Sequence, residues 1–465
     1  MSLASSSFLK NIFPDKRFWK MMFTFSMPIA LQNMSIAILG IIDVSVISNM
    51  GETAVAAVSL ANQFFYIITL ITFGITSGAS VYLSMAYGEK NHEKMREVFS
   101  ITMFFSVVIN FLIMMLCLVF PNKSLGFFTN DAATIKNGAI YLIIVSPTFV
   151  MYSVSNSCTA FFRSVQKPLF PMVATIASLV IKTALNLVLI YGVGFIPAMG
   201  IVGAALSTLI SKVIELILFL IFMHNFKEKE YIFKISDVKH FKPKGIKEFV
   251  SGTYAVILNE SLWGLGISAF DAIFGRMGVS AVSAVSIARQ LENLGNSFFS
   301  GIAIGACVVI SNSIGANKIS KAKEYAKNYA LSAFYVGLFV MGVLLLVDVP
   351  YVKTFFTGLE SETQNLAVYL IAIYALYMPF RSLASTLIMG IMRAGGDSRF
   401  AMFCDVLPVY IWSLLLGFIL GIKLKYSIIT VLAVMLFKRV IKCIIAIKRV
   451  TSGKWLNYIN SCNPS

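Results

Sequence analysis

The chain has 465 residues, of which 58% are hydrophobic and only 13% charged, with mean hydropathy +0.82; a soluble domain carries about one-quarter charged residues, so this is an integral membrane protein. The net charge of +17 invites a nucleic-acid partner, but the 38 Lys and Arg residues fall mostly in alternate loops, which marks membrane topology rather than a basic groove. The six cysteines (117, 158, 307, 404, 443 and 462) include no CxxC pair, and the three histidines (92, 224 and 240) sit at helix ends or in loops, which argues against a disulfide framework or an intramembrane metal centre.

Apolar runs long enough to cross a hydrocarbon core about 30 Å thick recur along the whole chain. They predict twelve spans, at 19–48, 54–87, 98–120, 137–162, 169–192, 200–224, 247–276, 281–313, 324–349, 366–392, 399–422 and 425–447. The first is too long for a cleavable signal peptide. Loops after the even-numbered spans carry Lys90/Lys94/Arg96, Arg163/Lys167, the basic stretch Lys227–Lys247, Lys318/Lys321/Lys323 and Arg393/Arg399. Those loops and both termini are therefore expected in the cytoplasm. Pro28, Pro147 and Pro379 should kink the first, fourth and tenth spans.

An internal repeat organises the chain. GETAVAAVSLANQ from Gly51 matches GVSAVSAVSIARQ from Gly278, and GITSGASVYLSMAYG from Gly74 matches GIAIGACVVISNSIG from Gly301, both at an offset of 227. Six spans separate the copies, and six is even, so the copies share one orientation. The expected fold is all-α, with two pseudo-symmetric six-helix lobes at 1–226 and 248–465 joined by a cytoplasmic linker at 227–247.

PIALQNM…IIDVSVISNMGETAVAAVSLA in the first span, the FRSVQKP and MRAGGDSR turns after the fourth and tenth, and the six-plus-six layout resemble the multidrug and toxic compound extrusion (MATE) transporters. The resemblance covers nearly the whole chain. It implies a V-shaped bundle whose lobes rock to export organic compounds against an inward flow of Na⁺ or H⁺, with no other cofactor. It also places Asp43 at the position of an acid that matters for coupling, and Glu260 at that of the family's seventh-span acid. Ile190 replaces a second acid found in one branch. The tenth span offers Tyr374, Tyr377 and Arg381 where the sodium-coupled branch has a carboxylate.

A charge at membrane depth costs several kcal/mol, so each needs a partner or a role. Gln32/Asp43 and Glu260/Asp271 share an 11-residue spacing, about three helical turns, and form one face on each of the first and seventh spans. Asp43 reads either as a cation or proton site with Gln32, Asn33 and Asn186 as neutral donors, or as an ion pair with Lys182, one turn before Asn186. Glu260, near the bilayer midplane, suits proton exchange or Na⁺ ligation, or pairs with Arg289 or Arg381. Arg289 is expected to pair with Glu292, and Lys212 with Glu215. Asp405 is a candidate cavity residue. Gln63, Lys182, Trp263, Arg289, Tyr374, Tyr377 and Arg381 are candidates to line a substrate cleft, with Phe64, Phe65 and Tyr66 as possible aromatic lining.

The resemblance thus implies a cation-coupled exporter of amphipathic, often cationic compounds, expected in the cell membrane and as a monomer. The alternative is a flippase or exporter of a lipid-linked saccharide or other anionic amphiphile, which Lys182 and Arg381 would favour. An embedded transferase or protease would need a set such as DDxxD or HExxH, and neither occurs. If the linker is cytoplasmic, a cysteine placed at Lys239 will stay unlabelled when intact cells meet an impermeant thiol reagent; labelling from outside would invert the topology.

Overall fold

The computed structural model describes residues 14–48, 50, 52–194, 196–231, 243–356 and 359–456. Lys234, Lys239, Lys242 and His240 of the linker, and Cys462, lie outside the described residues. The helices are α1 (Lys16–Ser48), α2 (Glu52–Gly88), α3 (His92–Val119), α4 (Pro121–Gly126), α5 (Ala132–Val145), α6 (Pro147–Ser164), α7 (Leu169–Tyr191), α8 (Gly200–His224), α9 (Pro243–Gly275), α10 (Val279–Gly315) and α11 (Ile319–Phe355). They continue with α12 (Ser361–Leu376), α13 (Met378–Met392), α14 (Ser398–Lys423), α15 (Ile428–Leu436) and α16 (Lys438–Thr451).

Among the described residues, nine helices are long and apolar enough to cross a membrane alone. Two bent pairs, α5–α6 and α12–α13, qualify jointly and bring the number to 11. The expected twelfth span corresponds to α15 and α16, where Lys438, Arg439 and Lys442 stand inside the helix, so length and apolarity alone do not yield twelve.

Local sequence explains where these helices begin and bend. Asn91 and Asp131 cap α3 and α5, their side chains accepting from the amides of Lys94 at 3.0 Å and Thr134 at 2.9 Å. The bonds from Thr134 hold the Asp131 carboxyl below its ordinary value. The two bent pairs each turn by 44°, at Pro147 and beside Pro379, because proline lacks the amide hydrogen and its ring crowds the preceding turn. Pro28 lies inside the unbroken α1.

The repeat extends to the backbone. α2 ends with Lys90 at φ 56° and α10 with Asn317 at φ 58°, 227 positions apart. The next amides, Asn91 N–H and Lys318 N–H, close back onto Ala86 O and Ser313 O, at 2.9 Å in both copies. α6 and α13 end alike, with Gln166 at φ 62° and Gly396 at φ 85°. Lys167 N–H and Asp397 N–H reach Phe162 O at 2.8 Å and Met392 O at 3.0 Å. All four are left-handed caps that satisfy carbonyls otherwise orphaned at a helix end.

Two compact units result. One gathers the chain up to Asn33 with Leu258 onward, the other Met34–Ile257. The dividing points fall inside α1 and α9, whereas the partition expected from the repeat, 1–226 and 248–465, divides at the linker. Within each unit the same close contact recurs. A Cβ on Gly74 would lie 2.8 Å from Ile257 Cα, and one on Gly301 would lie 2.7 Å from Ala30 N. Gly78 meets Thr253 as Gly305 meets Ser26, and every pair obeys the offset of 227. In the second unit Phe99, Phe161, Phe162 and Phe219 are fully buried; in the first, Phe299, Ile371, Met378 and Val431 are.

Gly74→Val and Gly301→Val should therefore each cost about 1–3 kcal/mol through overpacking, read as a lower thermal unfolding midpoint of the purified protein. Gly342→Ala, at a position with open space around it, should leave the midpoint unchanged.

Candidate functional site

In the second unit, α1 presents Asp43 to α7. Lys182 and Asn186 lie four residues apart and therefore on one face of α7. The Lys182 Nζ donates to Asp43 Oδ2 at 2.5 Å, and the Asn186 Nδ2 donates to Oδ1 at 2.9 Å. Ser207 of α8 donates to Asn186 Oδ1, which turns the amide so that its hydrogens face the carboxylate. The Tyr191 hydroxyl ties the end of α7 to Val46 O at 2.7 Å. Asp43 and Asn186 are buried, Lys182 is partly exposed, and Ile190 packs as an apolar side chain one turn beyond Asn186.

Asp43 has the ion-pair geometry with Lys182, and Asn186 meets it through its amide hydrogens rather than as an oxygen donor. Gln32 and Asn33 do not join it. They precede Asp43 by 11 and 10 residues on a continuous helix, about 15–17 Å along the axis, and belong to the first unit. Lys212 and Glu215 form the expected couple at 2.6 Å, with Thr175 donating to Glu215 at 3.0 Å. Phe64 and Phe65 pack against Phe128 and Tyr152, while Gln63 and Tyr66 are exposed on α2.

In the first unit, Glu260 pairs with Arg393 at 2.9 Å. The expected partners, Arg289 and Arg381, are otherwise engaged. Arg289 bonds Asp271 at 2.5 Å, and Arg381 bonds Glu292 at 2.9 Å and Asn296 at 3.0 Å. The expected Arg289–Glu292 pair is likewise corrected: Glu292 is shared by Arg381 and Arg439. Helical spacing made Arg289 the nearest candidate, but two guanidinium groups from α13 and α16 reach the same carboxylate.

Asn259 extends the Glu260 pair inward. Its Nδ2 donates to Glu260 Oε1 at 3.4 Å and Asp405 Oδ2 at 3.1 Å, and Lys442 holds Asp405 Oδ1 at 2.5 Å. Asp405 is thus a half-buried ion-pair member. Trp263 is half-buried, Tyr374 is buried with the Arg439 guanidinium 5.7 Å from its ring centre, and the Tyr377 hydroxyl donates to Ala433 O at 3.2 Å.

Arg393, Arg439, Lys442 and Asn259 were not singled out from the sequence. Arg393 had been counted among the cytoplasmic loop charges. The cations of FKRVIKCIIAIKRV were legible as charges within an apolar run, which is itself a signal of function. No group of three or more His, Cys, Asp or Glu side chains among the described residues is arranged to hold a metal ion. Around Asp43 the near groups are an ammonium and amide hydrogens, a set that suits an anionic carboxylate rather than a Na⁺ ion in need of several oxygens.

The MatE family model matches residues 28–188 and 258–422. The chain is 24% identical to the probable multidrug resistance protein YoeA of Bacillus subtilis (strain 168), across 89% of each chain. It is 23% identical to the multidrug export protein MepA of Staphylococcus haemolyticus (strain JCSC1435), over 83% of this chain and 84% of that one. Its fold superposes on the outward-facing structure of a multidrug resistance MATE family transporter of the MOP superfamily with TM-score 0.85 at 15% identity, covering 96% of this chain and 98% of that one. A MATE structure in complex with MaL6 gives TM-score 0.84 at 16% identity and the same coverage. Both repeats carry the family match, and the chain belongs to the MatE family of multidrug and toxic compound extrusion transporters, membrane transporters and not enzymes.

Proposed function

We propose that the chain is an antiporter that exports amphipathic, often cationic, organic compounds in exchange for an inward-moving cation, with Asp43 and Lys182 as its coupling element. One observation carries this: both oxygens of a buried carboxylate are engaged, one of them by an ammonium standing where a coupling cation would stand. Protonation of Asp43 would cancel the charge that holds Lys182 and free α7 from α1 at this depth. The donor set favours H⁺ over Na⁺, because Asn186 offers hydrogens rather than its carbonyl oxygen. A gradient then acts through the different affinities of the two states for the ion. The multidrug names of YoeA and MepA support the substrate class in outline.

We place the protein in the cell membrane with both termini cytoplasmic, acting as a monomer without a cofactor, with small organic compounds and the bilayer as its partners. Glu260, held by Arg393, is taken as a structural lock of the first unit.

Asp43→Asn keeps the side-chain volume and removes the charge. It should abolish pH-gradient-driven export of a fluorescent cation from vesicles at matched protein levels; full export would remove Asp43 from coupling. For the first unit, Arg393→Ala should destabilise by about 3–5 kcal/mol because it strands a buried carboxylate, and Glu260→Gln with Arg393→Gln should recover most of that loss. An unchanged thermal midpoint with lost export in Arg393→Ala would instead make Glu260 the coupling acid.

A further inference from the structure

In the first unit one cluster of cations outnumbers the acid it surrounds. Asp271 neutralises Arg289, Glu260 neutralises Arg393, and Asp405 neutralises Lys442. Beside these pairs a single carboxylate, Glu292, faces both Arg381 and Arg439 through its Oε1. Lys438, the neighbour of Arg439 on α16, points its ammonium at the Phe270 ring, 3.9 Å from the centroid, and has no acid within ion-pair distance among the described residues. Arg381, Arg439, Lys442 and the one acid Glu292 all lie within its electrostatic range.

The donors tell the same story. The Arg439 side chain is only 5% exposed, and one of its nitrogens serves Glu292. Its Nε and Nη1 are buried with no hydrogen-bond partner. A buried donor left unmade costs about 1–3 kcal/mol, and more on a charged group. The ring of Phe270 offers Lys438 some attraction, but a ring face is a weak substitute for a counter-charge. Arg381, at 21% side-chain exposure, leaves the cluster partly open. Three cations around one acid, with unspent donors and partial exposure, describe a site that an anion would complete.

We propose that Lys438, Arg439 and Arg381 form a binding site for an anionic group, a carboxylate, phosphate or sulfonate, carried by an amphiphile. Guanidinium and ammonium donors make their strongest hydrogen bonds to such groups. A simple organic cation would be repelled here, whereas a zwitterion or organic anion would complete the cluster. Binding at this site stands apart from the exporter reading, which enters only for the step from binding to transport.

The test uses full-length protein in nanodiscs of neutral phosphatidylcholine, with 6-carboxyfluorescein followed by fluorescence anisotropy. The dye should bind saturably, and Lys438→Gln should weaken it about tenfold, as expected for one lost charge-assisted contact. This substitution leaves both guanidinium bonds to Glu292 in place, so the thermal midpoint without dye should be no lower than the parent's. Absence of saturable dye binding, or equal affinity in Lys438→Gln, would overturn the site. Arg439→Lys, which keeps charge but loses the fork, should also weaken the dye; unchanged affinity there counts against the proposal. Competition by inorganic phosphate would identify a soluble anion as occupant. Loss of dye binding in phosphatidylglycerol nanodiscs, with phosphate inert, would identify a lipid headgroup; both outcomes uphold an anion site. In proteoliposomes, dye binding without export of any compound would sink the exporter reading alone, and export of ethidium without dye binding would sink the anion site alone.

Discussion

A charge inside a membrane-embedded bundle needs a counter-charge, and most of the polar architecture follows from that. Asp43 takes Lys182, Glu260 takes Arg393, Asp271 takes Arg289, Asp405 takes Lys442, and Glu292 takes two arginines. Each of these bonds joins different helices, so the pairs serve as cross-ties as well as neutralisers. Losing one partner is costly because the other is left behind without water. Asp348 near the end of α11 is the exception, accepting from the Val349 amide at 2.7 Å with no cation paired to it among the described residues.

Packing in each unit rests on the repeat. Gly74 and Gly78 admit Ile257 and Thr253, and Gly301 and Gly305 admit Ala30 and Ser26. Close helix approach at small residues is the usual device in lipid, where no hydrophobic force separates a helix from its neighbours. Matched left-handed caps at Lys90 and Asn317 stop α2 and α10 at equivalent points. These contacts and caps repeat in register, but the ionisable groups do not. The position 227 after Asp43 is Phe270, and its neighbour there is Lys438.

That divergence gives the two units different chemistry. The second unit's site is one acid balanced by one base, a pair that a single proton can disturb. The first unit holds a longer network, in which Arg381, Arg439 and Lys438 gather around Glu292. The repeat gives two similar scaffolds, and the residues at their polar positions differ.

Sequence by itself determined the membrane class, most spans, the bends at Pro147 and Pro379, and the repeat with its offset, because these depend on local composition and spacing. It also put Lys182 and Asn186 among the expected neighbours of Asp43, on one helical face, and it paired Lys212 with Glu215 across one turn. Tertiary structure alone decided that Arg393 meets Glu260 across 133 positions and that Arg439 meets Glu292 across 147. Pairing between helices depends on the rotation and depth of each, which side-chain packing sets and periodicity leaves open. For that reason Arg289, one turn from Glu292 on α10, bonds Asp271 of α9 instead. Gln32 and Asn33 show the converse: a shared helical face placed them with Asp43, but the rise along the helix keeps them about 15–17 Å away.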